Sequence, residues 1–126
     1  MKAKFISTDG PYLEASISIG GQTFCVMDQF EGKDLSPGDE IDVEICAGLY
    51  DDNEPWETIF NGNPQKEKKI EPLGGWRYRV FGVVCSISPV LVDVGQMQLE
   101  VPITTHDEKV VGEFIAFKIE RLDASR

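Results

Sequence analysis

Apolar residues recur at every second position along much of this 126-residue chain. That period belongs to strands buried on one face, and it excludes a helical bundle. The clearest case is Leu13, Ala15, Ile17 and Ile19, which alternate with Glu14, Ser16 and Ser18. Gly20-Gly21 follows, a pair suited to a two-residue hairpin turn with positive φ at both positions. A turn of that length sets the register with the next strand, Gln22 to Asp28. Ile19 then faces Gln22, Ile17 faces Phe24 and Ala15 faces Val26, with Ser18–Thr23 and Ser16–Cys25 on the other side.

The same period continues elsewhere. Lys4 to Ser7 reads as a short leading strand, and Glu40 to Ile45 as a strand with Ile41, Val43 and Ile45 inward and Asp42 and Glu44 outward. Trp76 to Ile87 alternates on either side of Gly82, where a bulge is expected. Val90 to Val94, Met97 to Ile103 and Gly112 to Leu122 complete the set, and Gln96 to Ile103 is the strand suspected of an open edge. Asp52 to Gly62 is the one helix candidate. Asp52 or Asn53 can cap it, Pro55 suits its first turn, and Trp56, Ile59 and Phe60 share one face. Asn63 to Gly75, rich in lysine, proline and glycine, reads as a mobile loop. Gly38 to Ile45 and Gly112 to Ile119 echo each other in shape. Two similar half-barrels or a common way of starting a strand would both produce the echo, and the second is the simpler expectation.

These elements predict an all-β, mainly antiparallel fold. It is a small closed or partly open barrel or sandwich of about seven or eight strands, with one short helix near residues 53–61. Strands, then a helix, then strands is OB-like in plan, though no family motif is legible. Residues 1–126 are expected to form a single domain, long enough for a core without metals or disulfides.

Charge sets the functional expectations. The net charge is −10, and the segment 28–57 carries all of it, with eleven acids against Lys33 alone. Such a balance opposes binding to nucleic acid and to anionic membrane. A smaller basic cluster, Lys66, Lys68, Lys69, Arg77 and Arg79, outweighs Glu67 and Glu71. A solvated surface that keeps the chain soluble is the plain reading of the acids. The sharper reading is a face that steers a basic partner.

No nucleophilic, metal or cofactor motif is legible. Cys25, Cys46 and Cys85 are odd in number and lack a C-x-x-C, so neither disulfides nor zinc are expected, and free thiols suit a cytoplasmic protein. His106 lies in a polar stretch and is expected to be an exposed loop histidine. Gly32-Lys33 lacks P-loop spacing, and Asp51-Asp52-Asn53-Glu54 lacks the alternation of a calcium loop. No apolar run approaches the ~18–20 residues that cross a bilayer, and no secretory signal is visible.

The sequence therefore leads to a non-enzymatic protein-interaction module whose acidic face, 28–57, binds a basic protein partner. An inhibitor or immunity-type protein is its concrete form. Asp28, Glu31, Asp34, Tyr50, Asp51, Asp52 and Glu54 are the candidate contacts, with Tyr50 or Trp56 as anchor. One alternative is an OB-like barrel that binds single-stranded nucleic acid or a small ligand. Against it, alternation sends Trp76 and Tyr78 to one side of their strand and Arg77 and Arg79 to the other. The remaining alternative is a small enzyme without a legible motif.

Overall fold

The computed structural model describes residues 1–50, 56–101 and 105–126, the side chains of 48–50 and 56–58 excepted. Among the described residues there are ten strands and one short α-helix. The first half holds β1 (Lys2–Thr8), β2 (Glu14–Ile19), β3 (Gln22–Gln29), β4 (Glu40–Asp42) and β5 (Glu44–Tyr50). Helix α1 (Trp56–Asn61) follows, then β6 (Lys69–Gly74), β7 (Arg77–Ile87), β8 (Val90–Asp93), β9 (Gln98–Glu100) and β10 (Phe114–Ser125). One ring of strands closes as β10-β5-β9-β8-β7 and back to β10. All pairs are antiparallel except β3–β10 and β5–β9. The fold is thus an all-β barrel with further strands.

The β2–β3 hairpin has the register that its turn dictates: Ile19↔Gln22, Ile17↔Phe24 and Ala15↔Val26, with Ser18↔Thr23 and Ser16↔Cys25 between them. Gly20 and Gly21 take φ of 58° and 84°, the left-handed values a primed turn requires. Ile41, Val43 and Ile45 are buried while Asp42 and Glu44 are exposed, as their alternation implies.

Three expectations are corrected. Residues 69–74 are not part of a mobile loop. They form β6, an edge strand on β7, where Pro72 needs no ladder donor. The stretch before it is pinned by buried Asn63, whose Nδ2 donates to the Glu67 carbonyl (2.9 Å) and the Ile115 carbonyl (3.2 Å). Gly82 is not a bulge. Strand β7 runs through it in register with Ile115, and the irregularity falls between Val84 and Ser86. Gly82 is there for space, because a Cβ would press on the Asp93 carbonyl and lie 2.6 Å from Val92 Cγ1. Strand β9 is not an open edge, since β8 and β5 pair it on both sides. The helix candidate is found as α1, with its proposed caps at 52 and 53 outside the described residues.

The echo between the halves extends through the fold. Lys4↔Glu40 and Ala3↔Ile41 in the β1–β4 pair match Val83↔Phe114 and Gly82↔Ile115 in the β7–β10 pair. The Phe5 N–H donates to the Asp39 carbonyl and the Gly38 N–H to the Phe5 carbonyl, both at 2.8 Å. Val84 and Gly112 repeat this, at 3.0 Å to the Glu113 carbonyl and 2.8 Å to the Val84 carbonyl. The two glycines share φ of 95° and 94°. Strand irregularities fall at matching places, Phe5/Ser7 and Val84/Ser86. The β2–β3 pairs Ser18↔Thr23, Ile17↔Phe24 and Ser16↔Cys25 match Asp93↔Gln98, Val92↔Leu99 and Leu91↔Glu100 in β8–β9. Between β5 and β10, Ile45↔Ala124 matches Tyr50↔Ile119. The barrel is built on an internal pseudo-twofold.

Candidate partner-binding surface

The candidate contacts do not all lie where their sequence context placed them. Asp28 is not on a loop and does not reach the surface. It ends the buried side of β3 at 1% exposure. Its carboxylate accepts from the Thr8 hydroxyl at 2.5 Å, the Phe30 N–H at 3.0 Å and the Gly32 N–H at 3.2 Å. A buried carboxylate is tolerable only when so paired. Asp28 is therefore a positioning residue, and its backbone holds a second loop: the Tyr12 N–H donates to its carbonyl (2.8 Å), and its own N–H donates to the Leu13 carbonyl (2.9 Å). One residue thus fixes the loops 9–13 and 30–34 together.

Glu31 and Asp34 lie on the second of these loops, exposed, around a 3-10 turn at Gly32–Asp34. Glu31 adopts left-handed φ of 58° and Tyr12, on the neighbouring loop, 61°. Both are conformations that side-chain-bearing residues seldom take, and such strain concentrates at functional sites. Tyr50 ends β5, its side chain outside the described residues, as are Asp51, Asp52 and Glu54 altogether. Trp56 begins α1, and its side chain is likewise not described.

Sequence reasoning missed Tyr12 and Leu13. They are 70% and 52% exposed, large apolar groups at a loop tip between Asp9 and Glu14. Their signal was Pro11-Tyr12-Leu13 directly after the Asp9-Gly10 turn, where Leu13 passed for the first residue of a strand. Lys33 crosses over Gly10, its Cε 3.3 Å from where a Cβ would stand. Beyond it an open groove of about 360 Å³ runs past Phe5, Ile6, Leu35 and Pro37. Ser7, Thr8, Gly32 and Lys33 line the groove as well, so it adjoins the 30–34 loop.

The basic cluster is interleaved with acids. Lys68 pairs with Asp93 at 3.1 Å, Lys69 with Glu71 at 2.7 Å and Glu67 at 3.2 Å, and Arg77 with Glu120 at 3.5 Å. Tyr78 is buried, as the alternation required, but Phe81 shares the arginine side. Its ring is already in contact with the chain's own cations, Lys69 at 4.8 Å and Arg79 at 5.4 Å.

The cysteine environments run against thiolate chemistry, which needs a depressed pKa. Burial, then the hydrogen bond to Glu14, pushes the Cys25 thiol up to about 12. Burial, then Asp123, raises Cys46, and burial, then Asp93, raises Cys85. An unfolded thiol ionises near about 8.5. Cys25 therefore stays protonated in the fold where the unfolded chain ionises, so its contribution to stability falls as pH rises from about 9 towards 12. Iodoacetamide at pH 8 is expected to spare Cys25 in the folded protein and modify it in urea, as read by peptide mass. His106 is exposed, next to Asp107, which caps the 3-10 turn Glu108–Val110 by accepting from the Lys109 N–H (3.0 Å).

Among the described residues no group of three His, Cys, Asp or Glu side chains is placed to hold a metal, and no helix is long and apolar enough to cross a membrane. No family model, curated protein or solved structure matches the chain.

Proposed function

We propose that the protein is a non-enzymatic binding module that offers an acidic surface, centred on loops 9–13 and 30–37, to a basic protein partner. The observation that carries this reading is the exposed pair Tyr12 and Leu13, held by Asp28 and set among Asp9, Glu14, Glu31 and Asp34. Aromatic anchors inside a polar rim dominate the energetics of protein interfaces. The acids steer a basic partner and the apolar tip holds it. Asp51, Asp52 and Glu54 belong to the same acidic stretch of sequence, 28–57, and lie outside the described residues. An inhibitor or immunity-type protein is the form this chemistry suits. A toxin that handles nucleic acid must carry a basic cleft, and an acidic plug competes for it.

The test is capture from nuclease-treated lysate of the source cell at low and moderate salt, followed by binding measurements with the purified partner. Tyr12→Ala is expected to weaken the complex by about 2 kcal/mol, roughly thirtyfold in Kd. A partner that binds the Tyr12→Ala and Glu31→Lys/Asp34→Lys variants as tightly as the wild type would refute the surface.

A further inference from the structure

The chain has three asparagines, Asn53, Asn61 and Asn63, and of these only Asn61 precedes a glycine. The backbone nitrogen of the next residue can attack an asparagine carboxamide and close a five-membered ring. Closure needs an approachable nitrogen, an N–H free to lose its proton to base, and an asparagine free to rotate about its own ψ. Asn61-Gly62 meets all three conditions. Gly62 has no Cβ to obstruct the carboxamide. Its N–H reaches the Ile59 carbonyl at 3.5 Å, longer than the usual range, so water and hydroxide compete for it. Asn61 is exposed and is the last residue of α1. The carbonyls of a helix end have no intrahelical donor, so its ψ leaves the helical value as the end frays.

The same conditions exclude its neighbours. Asn63 precedes Pro64, whose nitrogen carries no proton. The Asn63 carboxamide is also held at both ends. Its Nδ2 donates to the carbonyls of Glu67 and Ile115, and its Oδ1 accepts from the Glu67 N–H at 2.8 Å. Asp9-Gly10 is the related pair on loop 9–13, and there the Gly10 N–H is occupied by the Thr8 hydroxyl at 3.1 Å. Asn61 is therefore set apart by its place in the fold as well as by the residue that follows it.

We propose that Asn61-Gly62 is a site of spontaneous deamidation whose isoaspartyl product releases the hydrogen bonds of Asn63. Base removes the Gly62 amide proton, and the nitrogen forms a bond to Asn61 Cγ. The Cγ–Nδ2 bond breaks, and ammonia leaves with a proton taken from water. Water then opens the succinimide. Cleavage of the new Cγ–N bond gives aspartate, and cleavage of the original peptide C–N bond gives isoaspartate, whose main chain runs through the former side chain. One water is consumed, one ammonia is released, and nothing is oxidised or reduced. Isoaspartate adds one carbon to the main chain between two fixed points, Ile59 at 0% exposure and Asn63 at 5%. The added length displaces Asn63 from Glu67 and Ile115, and with it the segment that leads into β6. The site is remote in sequence from loops 9–13 and 30–37, so it does not rest on the proposed function.

The full chain is incubated in mildly alkaline buffer, folded and in urea, and its peptides are resolved by chromatography and mass. In the folded protein Asn61 should convert at a rate within about tenfold of the urea rate, as expected of a frayed end, while Asn63 stays intact. Asn61→Gln, whose ring would need six members, should lose the conversion. The isoaspartyl form, purified, should exchange the Glu67 amide hydrogen about tenfold or more faster than the unmodified chain. Asn61→Asp adds the charge without the extra carbon and should exchange Glu67 like the wild type. Asn61 is exposed, and circular dichroism checks that both variants fold. Asn61 left intact in the folded protein over a period that converts it in urea would overturn the proposal. So would an isoaspartyl form with unchanged exchange at Glu67, or equal acceleration in Asn61→Asp.

Discussion

Gly82→Ala is expected to lower stability by about 3 kcal/mol, the upper end of the range for overpacking. The added methyl meets Val92 Cγ1 at 2.6 Å and the Asp93 carbonyl closer still. The carbonyl is backbone, so it cannot turn aside as a flexible side chain would. Relief requires β8 to move away from β7, against the pairs Val83↔Asp93 and Val84↔Val92. Those pairs belong to the ring that closes the barrel. Since whole domains are stable by only about 5–15 kcal/mol, the melting temperature should fall by about 10 °C. The pseudo-twofold provides the control. The counterpart of Gly82 is Ala3, buried at 3% with its methyl accommodated. Ala3→Gly should cost only about 1 kcal/mol. Thermal unfolding that ranked the two substitutions equally would contradict this account of the β7–β8 approach.

Asp28→Ala should cost a similar amount for a different reason. It strands three donors: the Thr8 hydroxyl and the N–H groups of Phe30 and Gly32. Each buried donor left unpaired costs about 1–3 kcal/mol, partly relieved by water entering the loops, so a loss of about 3 kcal/mol is expected in urea unfolding. Asp28→Asn keeps the volume but turns an amide NH₂ toward groups that are themselves donors, so it should fall between alanine and wild type. Thr8→Val removes one partner and should cost about 1 kcal/mol. The functional consequence is separate from stability. Well below its melting point, the Asp28→Ala protein should still bind its partner more weakly, because both loops lose their anchor. Unchanged stability and unchanged hydrogen exchange at Phe30 and Gly32 would show that the carboxylate does not hold the loop.

The elements visible in the sequence were those whose physics is local. A Gly-Gly turn between alternating runs admits one register for β2–β3, and the period of two at Ile41, Val43 and Ile45 admits one buried face. Other features depended on contacts distant in sequence. Strand β6 has one buried apolar residue, Ile70, among charges, and its pairing with β7 supplies what its own pattern lacks. Gly82 looked like a bulge because a glycine required by a neighbouring strand's backbone leaves no mark on its own strand. Asp28 read as one more surface acid among eleven, although its partners Thr8, Phe30 and Gly32 were in the sequence throughout. The echo of Gly38 and Gly112 was visible, but only the matched hydrogen bonds of Phe5 and Val84 reveal how far it extends. Glu31 and Asp34 are exposed on their loop, while Tyr12 carries no periodic signal of its own and Leu13 reads as the first residue of a strand.

The most direct test of the proposed function is the association rate of the purified partner as salt rises from about 0.05 M to about 0.5 M. Screening over that range shortens the reach of surface charges to a few ångströms. If acids steer the encounter, the wild-type rate should fall by about tenfold or more while dissociation changes little, and Glu31→Lys/Asp34→Lys should start slower and fall less. A rate independent of salt, or the same salt dependence in the variant, would contradict a steering role for these loops.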